Sequence, residues 1–496
     1  MKSHAIKSHS RNTKKKIKHK HPKRNTTTKK NSTTNKNSTT KKYKKRLSHK
    51  KKTHKAVSKY TLNDIKLYKN ASGTRILVMP NRNETETATI YFYFKVGSKN
   101  ETEKIHGITH FIEHMLFKGS KKYPNYLDIS KTLDANGISF NAYTAKDSTA
   151  YHFKYLSKQQ NHDLVCRLAS DFIMNPLMRE KDIATERNVI IQEYNDDLDD
   201  IDEYIADKIE ESLFKGHPLG LTIIGTLETL NKIDRKDIIE YYKTYYRPDN
   251  LLIGISGCIN DETLHTIQQY FGGSASFKPQ DIKSQGVSHI IPFVEKQVVH
   301  PKINCFQKSL TQDYIHIIFK TGGYFDPNLN NYKMLANILG SNMSSHLFVE
   351  IREKLGLVYS IKTDLTNYEE VGYFDIYTQN EAKDTKKCIE KVLEELIKIK
   401  KHGVSEKELA ENKKNYTDVF KTYFDDIQYE NEYFSKQVLY NRPLETVEMR
   451  ITNIEKVSVD DIKNAACQLF DFSKMHIVTF GEVNKKTIEK IVKKFI

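Results

Sequence analysis

The spacing of apolar residues predicts a folded body that begins at about Tyr60. Residues 89–96 are rich in β-branched and aromatic side chains, which is typical of a strand. A second strand is predicted at residues 251–257, and residues 272–300 are small and polar enough to predict a linker. Apolar residues at helical spacing predict helices between these segments. The predicted helices cover 107–118, 125–136, 158–174, 180–212 and 234–246.

The second half of the chain repeats the pattern of the first. A strand is predicted at Tyr314–Gly323, and it is followed by a helix that includes Tyr332–Leu339. This order matches the strand that begins at Ile90 and the helix predicted at 107–118. We therefore predict an α+β fold of two homologous domains, each a mainly antiparallel sheet with helices packed on it. The predicted division is a tail at 1–59, a first domain at 60–271, a linker at 272–300 and a second domain at 301–496.

The positive charge of the chain is concentrated in its first 60 residues. The net charge is +18, and residues 1–60 hold 23 Lys and Arg but no Asp or Glu. The remaining residues have 57 basic and 62 acidic side chains, a net charge of −5. A Lys-, His-, Ser- and Thr-rich segment with little to bury is typical of disorder. It is either a solvated extension, a polyanion-binding segment (for nucleic acid or a virion component) or a nuclear-targeting signal.

Cysteine use and hydropathy favour an intracellular, soluble protein. The five cysteines are scattered and form no Cys-x-x-Cys pair, which predicts a reducing compartment without a disulfide framework. We see neither a run of about 18 apolar residues that would span a membrane nor a hydrophobic signal-peptide core. A mitochondrial transit peptide fits poorly, because the basic segment is rich in Lys and has no amphipathic Arg-rich helix.

The helix predicted at 107–118 contains a candidate metal site. His110, Glu113 and His114 form the pattern His-x-x-Glu-His. On a helix, residues three and four apart share a face, so both imidazoles can bind one Zn²⁺ while Glu113 reaches a water on the metal. This order is that of the inverted zincins. In a chain rich in His and Glu the five residues also arise by coincidence, so the pattern alone does not decide.

A catalytic zinc site needs a third protein ligand and a position for water. Glu186 and Glu193 are seven residues apart in a predicted helix and therefore share a face. One could bind the metal while the other orients a ligand. Alone, such a pair is more typical of a solvated helix face, and the same holds for the acidic run at 196–203.

The segment around these residues resembles the insulinase–pitrilysin zinc peptidases, and their processing-peptidase branch most closely. In that family a His-x-x-Glu-His helix is completed by a glutamate nearly eighty residues later, with another glutamate seven residues before it. Glu193 follows His114 by 79 residues. The resemblance implies that His110, His114 and Glu193 bind one zinc ion, that Glu113 is the general base and that Glu186 is a supporting carboxylate.

Two further segments resemble the family. Gly137–Thr144, with Asn141 and Ala142, is similar to the edge strand that pairs with an extended substrate, although alone it reads as an ordinary strand and turn. In the second half, Arg352 and Tyr359 match an arginine and a tyrosine that hold the substrate carbonyl and stabilise the oxyanion. Without the resemblance, Arg352 reads as a surface helix residue and Tyr359 as a strand residue.

The second half repeats the fold without repeating the metal-binding residues. Lys333 and Asn337 fall where His110 and His114 stand in the first half, so we expect only the first domain to bind metal. The resemblance implies a zinc endopeptidase acting on peptides or unfolded segments. Family members that enclose substrate use four such domains, which implies a dimer with itself or a paralogue. The alternatives are a non-catalytic subunit of the same fold, and a polyanion-binding protein acting through its tail.

Overall fold

The computed structural model describes residues 62–79, 85–272, 276–280 and 301–496. The tail predicted at 1–59 lies outside the described residues. So does most of the linker predicted at 272–300, although its residues 278–280 form a short strand.

The first half is built on a seven-stranded sheet with the strand order β4-β5-β3-β6-β2-β1-β7. Its pairings are antiparallel except for β2 with β6, which run parallel. The strands are β1 (Lys66–Lys69), β2 (Arg75–Val78), β3 (Thr87–Phe94), β4 (Ser139–Thr144), β5 (Thr149–Leu156), β6 (Leu251–Gly257) and β7 (Lys278–Gln280). The helices of this half are α1 (Ile108–Leu116), α2 (Tyr126–Ala135), α3 (Gln159–Met174), α4 (Glu180–Asp199), α5 (Ile201–Leu213), α6 (Leu227–Lys232), α7 (Arg235–Tyr245) and α8 (Asp261–Phe271).

The second half repeats this arrangement with the order β10-β11-β9-β12-β8, in which β12 and β8 again form the parallel pair. The strands are β8 (Lys302–Gln307), β9 (Asp313–Gly322), β10 (Ile361–Asn367), β11 (Val371–Asn380) and β12 (His476–Gly481). The helices are α9 (Leu329–Gly340), α10 (Thr385–His402), α11 (Glu406–Tyr423), α12 (Ile427–Leu439), α13 (Val447–Glu455), α14 (Val459–Leu469) and α15 (Lys485–Val492). The matching strand orders confirm the predicted duplication and the predicted α+β class.

One helix from each half packs on the sheet of the other half. One face of β3, with Phe92, packs in the core of the first half, while Tyr93 on the opposite face packs with Phe434 of α12. Both faces of β3 are therefore buried, which explains its nearly continuous apolar sequence. In return, Ile209 of α5 packs with Phe480 on the second sheet.

The helix predicted at 180–212 is in fact two helices, α4 and α5. Asp200 separates them with extended backbone angles (φ −77°, ψ 111°). Its side chain accepts a hydrogen bond from the Asp202 N–H at 3.0 Å and so caps α5. A single continuous helix was the wrong prediction, because a short acidic residue can end one helix and begin the next without a Gly or Pro. Within the described ranges, no helix combines the length and the apolar character needed to cross a membrane.

Candidate metal centre

Helix α1 is fixed at its N-terminus by a buried carboxylate. Glu101 accepts hydrogen bonds from the N–H groups of Gly107 at 2.7 Å and Thr109 at 2.8 Å. These N–H groups lack partners within the helix, and a carboxylate at this end is favoured by the helix dipole. Gly107 has a φ of 94°, and a Cβ added there would lie 2.5 Å from the carbonyl oxygen of Ile224. Only glycine fits this close approach, which sets the direction of α1.

Two histidines of α1 lie close to one glutamate of α4. His110 and His114 are both buried, and their Nε2 atoms are 3.3 Å apart. The carboxylate of Glu193 lies 3.4 Å from the His114 Nε2 and 3.9 Å from the His110 Nε2. Two ligands at zinc-bond lengths and a tetrahedral angle are roughly 3.3 Å apart. The two nitrogens and the carboxylate therefore fit a zinc ion in kind and in spacing.

His110, His114 and Glu193 each offer one ligand atom, and these three atoms lie within 4.8 Å of one another. In the described part of the chain, this is the group of His, Cys, Asp or Glu residues that could hold a metal ion. Lys333 and Asn337, which the sequence comparison placed opposite His110 and His114, both lie on α9. Metal binding by the first half alone stays a prediction. The roles of the three residues as metal ligands stay a prediction.

Glu186 holds the second ring nitrogen of His114. Its Oε1 lies 2.9 Å from the His114 Nδ1, and its other oxygen pairs with Lys118. Burial alone would lower the pKa of His114, but hydrogen bonds to Glu186 and Glu193 raise it to about 10. Glu186 thus directs the His114 Nε2 toward Glu193, as carboxylates behind metal-binding histidines do.

Glu113 is buried beside the trio without being part of it. Its Oε2 accepts a hydrogen bond from the Thr144 hydroxyl at 2.6 Å, and its Oε1 has no hydrogen bond among the described residues. Burial raises the pKa of Glu113 to about 7, while His114 and Thr144 act against that rise. One oxygen is therefore fixed and the other is available, on a group whose pKa suits proton transfer near neutrality.

The hydrogen bond from Thr144 brings the edge of the first sheet to this site. Thr144 is the last residue of β4, which pairs with β5 and forms one edge of the sheet. Asn141 is partly buried and its side chain accepts the N–H of the buried Ala142 at 2.9 Å. Asn141 and Ala142 thus lie on an edge strand whose end contacts Glu113.

The structure does not bring Arg352 and Tyr359 to this cluster. The Arg352 guanidinium lies 4.5 Å from the ring centre of Phe348 and 5.6 Å from that of Tyr359. Tyr359 is 76% exposed. Among the described residues, neither side chain has a hydrogen bond, ion pair or ring contact with His110 or Glu113. The two residues contact each other on the surface of the second half.

The sequence did not reveal three residues that support the site. Thr144 stood in the segment compared with the family's edge strand, but nothing there pointed to its bond with Glu113. Lys118 follows the histidine motif and pairs with Glu186, and Glu101 precedes α1 and caps it. A buried carboxylate shortly before a helix is the signal that could have identified Glu101.

Comparison with known proteins identifies the family. The family model for insulinase (peptidase family M16) matches residues 76–227, and the model for the peptidase M16 inactive domain matches residues 232–416. An uncharacterized zinc protease of Rickettsia felis is 30% identical over 78% of this chain and 90% of its own length. The uncharacterized zinc protease YmxG of Bacillus subtilis is 28% identical over 82% of this chain and 96% of its own length.

Solved structures show the same fold. A protease from Helicobacter pylori superposes with a TM-score of 0.74 at 20% identity, covering 84% of this chain and 99% of its own. A structure described as a peptidase M16 inactive domain, from Pseudomonas fluorescens, gives a TM-score of 0.73 at 17% identity over 85% of this chain and 99% of its own. The resemblance noted in the sequence is confirmed, and the chain belongs to peptidase family M16, the insulinase family.

Proposed function

We propose that this chain is a zinc-dependent endopeptidase that cleaves peptides or unfolded protein segments. The observation that carries the proposal is the convergence of His110, His114 and Glu193 at zinc-ligand spacing, with the buried Glu113 beside them. Two imidazoles and one carboxylate leave a position for water, as in catalytic zinc sites. The names of the relatives as zinc proteases agree with this.

The chain's own residues would handle the proton. Zinc, when bound, lowers the pKa of a water molecule and polarises the scissile carbonyl. Glu113 accepts the water proton on Oε1, since its Oε2 is engaged by Thr144. The same carboxyl then donates that proton to the leaving amine. Glu186 supports this step by holding the His114 ring in place.

The edge strand β4 would hold the substrate. A peptide added alongside β4 would extend the first sheet by one strand, with main-chain hydrogen bonds that do not depend on sequence. Asn141 and Ala142 lie on this strand, and Thr144 at its end contacts the general base. The bound peptide would therefore run past Glu113.

We also propose that Arg352 and Tyr359 stabilise the oxyanion in an assembled enzyme. In this chain they contact each other and Tyr359 is exposed, so they would reach a zinc site after movement of the second half or from a partner chain. A homodimer, or a heterodimer with a paralogue, would provide the second option. Light scattering that shows a fully active monomer would exclude it.

The rival function is a non-catalytic subunit of the same fold. Such a subunit would be expected to have lost a metal-binding residue or the base, whereas all four are present and adjacent here. Polyanion binding through residues 1–59 is compatible with either function and needs its own test.

Metal analysis of the purified chain, combined with a peptide-cleavage assay, tests the proposed function. We expect one zinc per chain and cleavage that stops with a chelator and returns with added zinc. His110→Ala should remove both the metal and the activity. A chain that binds zinc but cleaves no peptide, alone or with a paralogue, would favour the non-catalytic subunit.

A further inference from the structure

The tip of the hairpin formed by β4 and β5 is buried, although it carries two charged residues. The turn is closed by a hydrogen bond from the Ala145 N–H to the Ser148 carbonyl oxygen at 2.8 Å. The two residues at its tip, Lys146 and Asp147, are each only 4% exposed. Turns usually lie at the surface, and buried charged groups need partners. The partners of these two residues therefore show what holds the hairpin.

Asp147 is held by the second half. The Tyr440 hydroxyl, just after α12, donates to the Asp147 Oδ1 at 2.6 Å and lies 3.1 Å from the Ser148 hydroxyl oxygen. The Tyr440 ring is buried and stacks on Tyr324. Burial raises the pKa of Asp147, while Lys99 and the Tyr440 hydroxyl act against that rise. Among the described residues, the Asp147 Oδ2 has no hydrogen bond, so loss of the Tyr440 hydroxyl would leave this buried carboxylate without one.

Lys146 is connected to the second half through α5. Its ammonium pairs with the Oε2 of Glu210, on α5, at 2.9 Å. The Oε1 of Glu210 accepts hydrogen bonds from the Tyr368 hydroxyl and, at 3.4 Å, from the Tyr373 hydroxyl. Both tyrosines belong to the second half. Each of the two tip residues is thus linked to the second half by hydrogen bonds.

The same hairpin contacts the proposed general base. Thr144 is the last residue of β4 and stands three residues before Asp147. Its hydroxyl donates to the Glu113 Oε2 at 2.6 Å, and both side chains are buried. Packed interiors transmit small displacements, because they have little free volume to absorb them. A shift of the tip would therefore displace Thr144, and with it the carboxylate of Glu113.

We propose that Tyr440 is a positioning residue, through which the second half holds the β4–β5 hairpin so that Thr144 orients Glu113 for proton transfer. This proposal rests on the proposed peptidase function. Among the described residues, Tyr440 has no hydrogen bond, ion pair or ring contact with Glu113, so it acts through the hairpin. Misplacing a reacting group by about 1 Å can lower a rate by up to about 10². The second half thus contributes to the chemistry of the first.

Hydrogen exchange of the full-length chain tests the contact. Tyr440→Phe keeps the buried ring and removes only the hydroxyl. Exchange of the amides in residues 139–149, followed by mass spectrometry, should become faster on the order of tenfold, because a hydrogen bond to a charged group is lost. The matched control is Tyr433→Phe on α12, whose hydroxyl lies 3.4 Å from the Glu445 Oε2 within the second half. This control should leave the exchange of the hairpin unchanged.

Steady-state kinetics test the effect on Glu113. In Tyr440→Phe, kcat should fall on the order of tenfold, while zinc content is unchanged and KM changes by less than about twofold. In a Thr144→Val background, Tyr440→Phe should not lower kcat further, because the link to Glu113 is already broken. Thr144→Ser keeps the hydroxyl and should restore the sensitivity to Tyr440→Phe.

Three results would overturn the proposal. These are unchanged hairpin exchange in Tyr440→Phe, an unchanged kcat, and a fall in kcat that persists in the Thr144→Val background. Thermal melts check that each variant is folded. A natural chain that binds zinc but cleaves no peptide would instead overturn the proposed function. The exchange measurement needs no cleavage, so it would still decide whether Tyr440 holds the hairpin.

Discussion

Replacing Glu186 by Gln should weaken zinc binding without removing a zinc ligand. The substitution keeps the size of the side chain and leaves one oxygen that can accept a hydrogen bond from the His114 Nδ1. In the natural chain, the Glu186 Oε1 lies 2.9 Å from that nitrogen. The substitution removes the negative charge that this ring and Lys118 both contact. Hydrogen bonds to charged groups contribute about 1.5 kcal/mol more than neutral ones. Since 1.4 kcal/mol is a factor of about ten, we expect the zinc Kd to rise about tenfold.

A competition titration against a chelating dye of known zinc affinity would measure this Kd. At saturating zinc, the cleavage rate should stay close to that of the natural chain, because Glu186 would act through His114 and not on the substrate. The matched control is Glu180→Gln, an exposed glutamate at the start of the same helix, which should leave the Kd unchanged.

Two results would refute this reasoning. An unchanged Kd would show that the contact with His114 does not support the metal. Complete loss of zinc would show that Glu186 is itself a ligand and that the trio was wrongly chosen.

The zinc affinity should rise with pH about tenfold per unit between roughly pH 7 and 9, because the His114 pKa of about 10 means that zinc must displace a proton there. A Kd independent of pH, measured by the same titration, would contradict this. Gly107→Ala should lower the thermal stability more than Gly137→Ala. Both glycines have a positive φ, but a Cβ added at Gly107 would lie 2.5 Å from a backbone oxygen, whereas a Cβ added at Gly137 would meet nothing within 4 Å. The clash at Gly107 should cost about 2 kcal/mol of folding stability. Equal melting temperatures of the two variants would show that there is no such clash. Deleting residues 1–58 should abolish retention on a polyanion column while zinc content and peptide cleavage persist; loss of cleavage would place this segment in the active structure.

Local spacing explains how much of the site could be predicted. His110, Glu113 and His114 lie within two turns of one helix, so helix geometry alone places them together. Glu193 is on a different helix, and the spacing of 79 residues points to it only through the family resemblance. The contact between Thr144 and Glu113 depends on how β4 packs beside α1, and no sequence period encodes that distance.

The exchange of helices between the halves was also beyond the sequence. The apolar faces of α5 and α12 predict that each helix packs on something, but not that each covers the sheet of the other half. The sequence of β3 does indicate that both of its faces are covered, because Tyr91 and Tyr93 make the outward face as apolar as the inner one. A strand without alternation needs a cover on both sides.

In the proposed function, Glu113 transfers protons beside a zinc ion that it does not bind. The most direct test is the zinc content and the peptide-cleavage rate of Glu113→Gln, measured on the same preparation. We expect one zinc per chain, as in the natural protein, and a rate lower by about 10² to 10⁴. Full activity with zinc bound would contradict the assigned role of Glu113, and loss of zinc would show that Glu113 belongs to the metal-binding set.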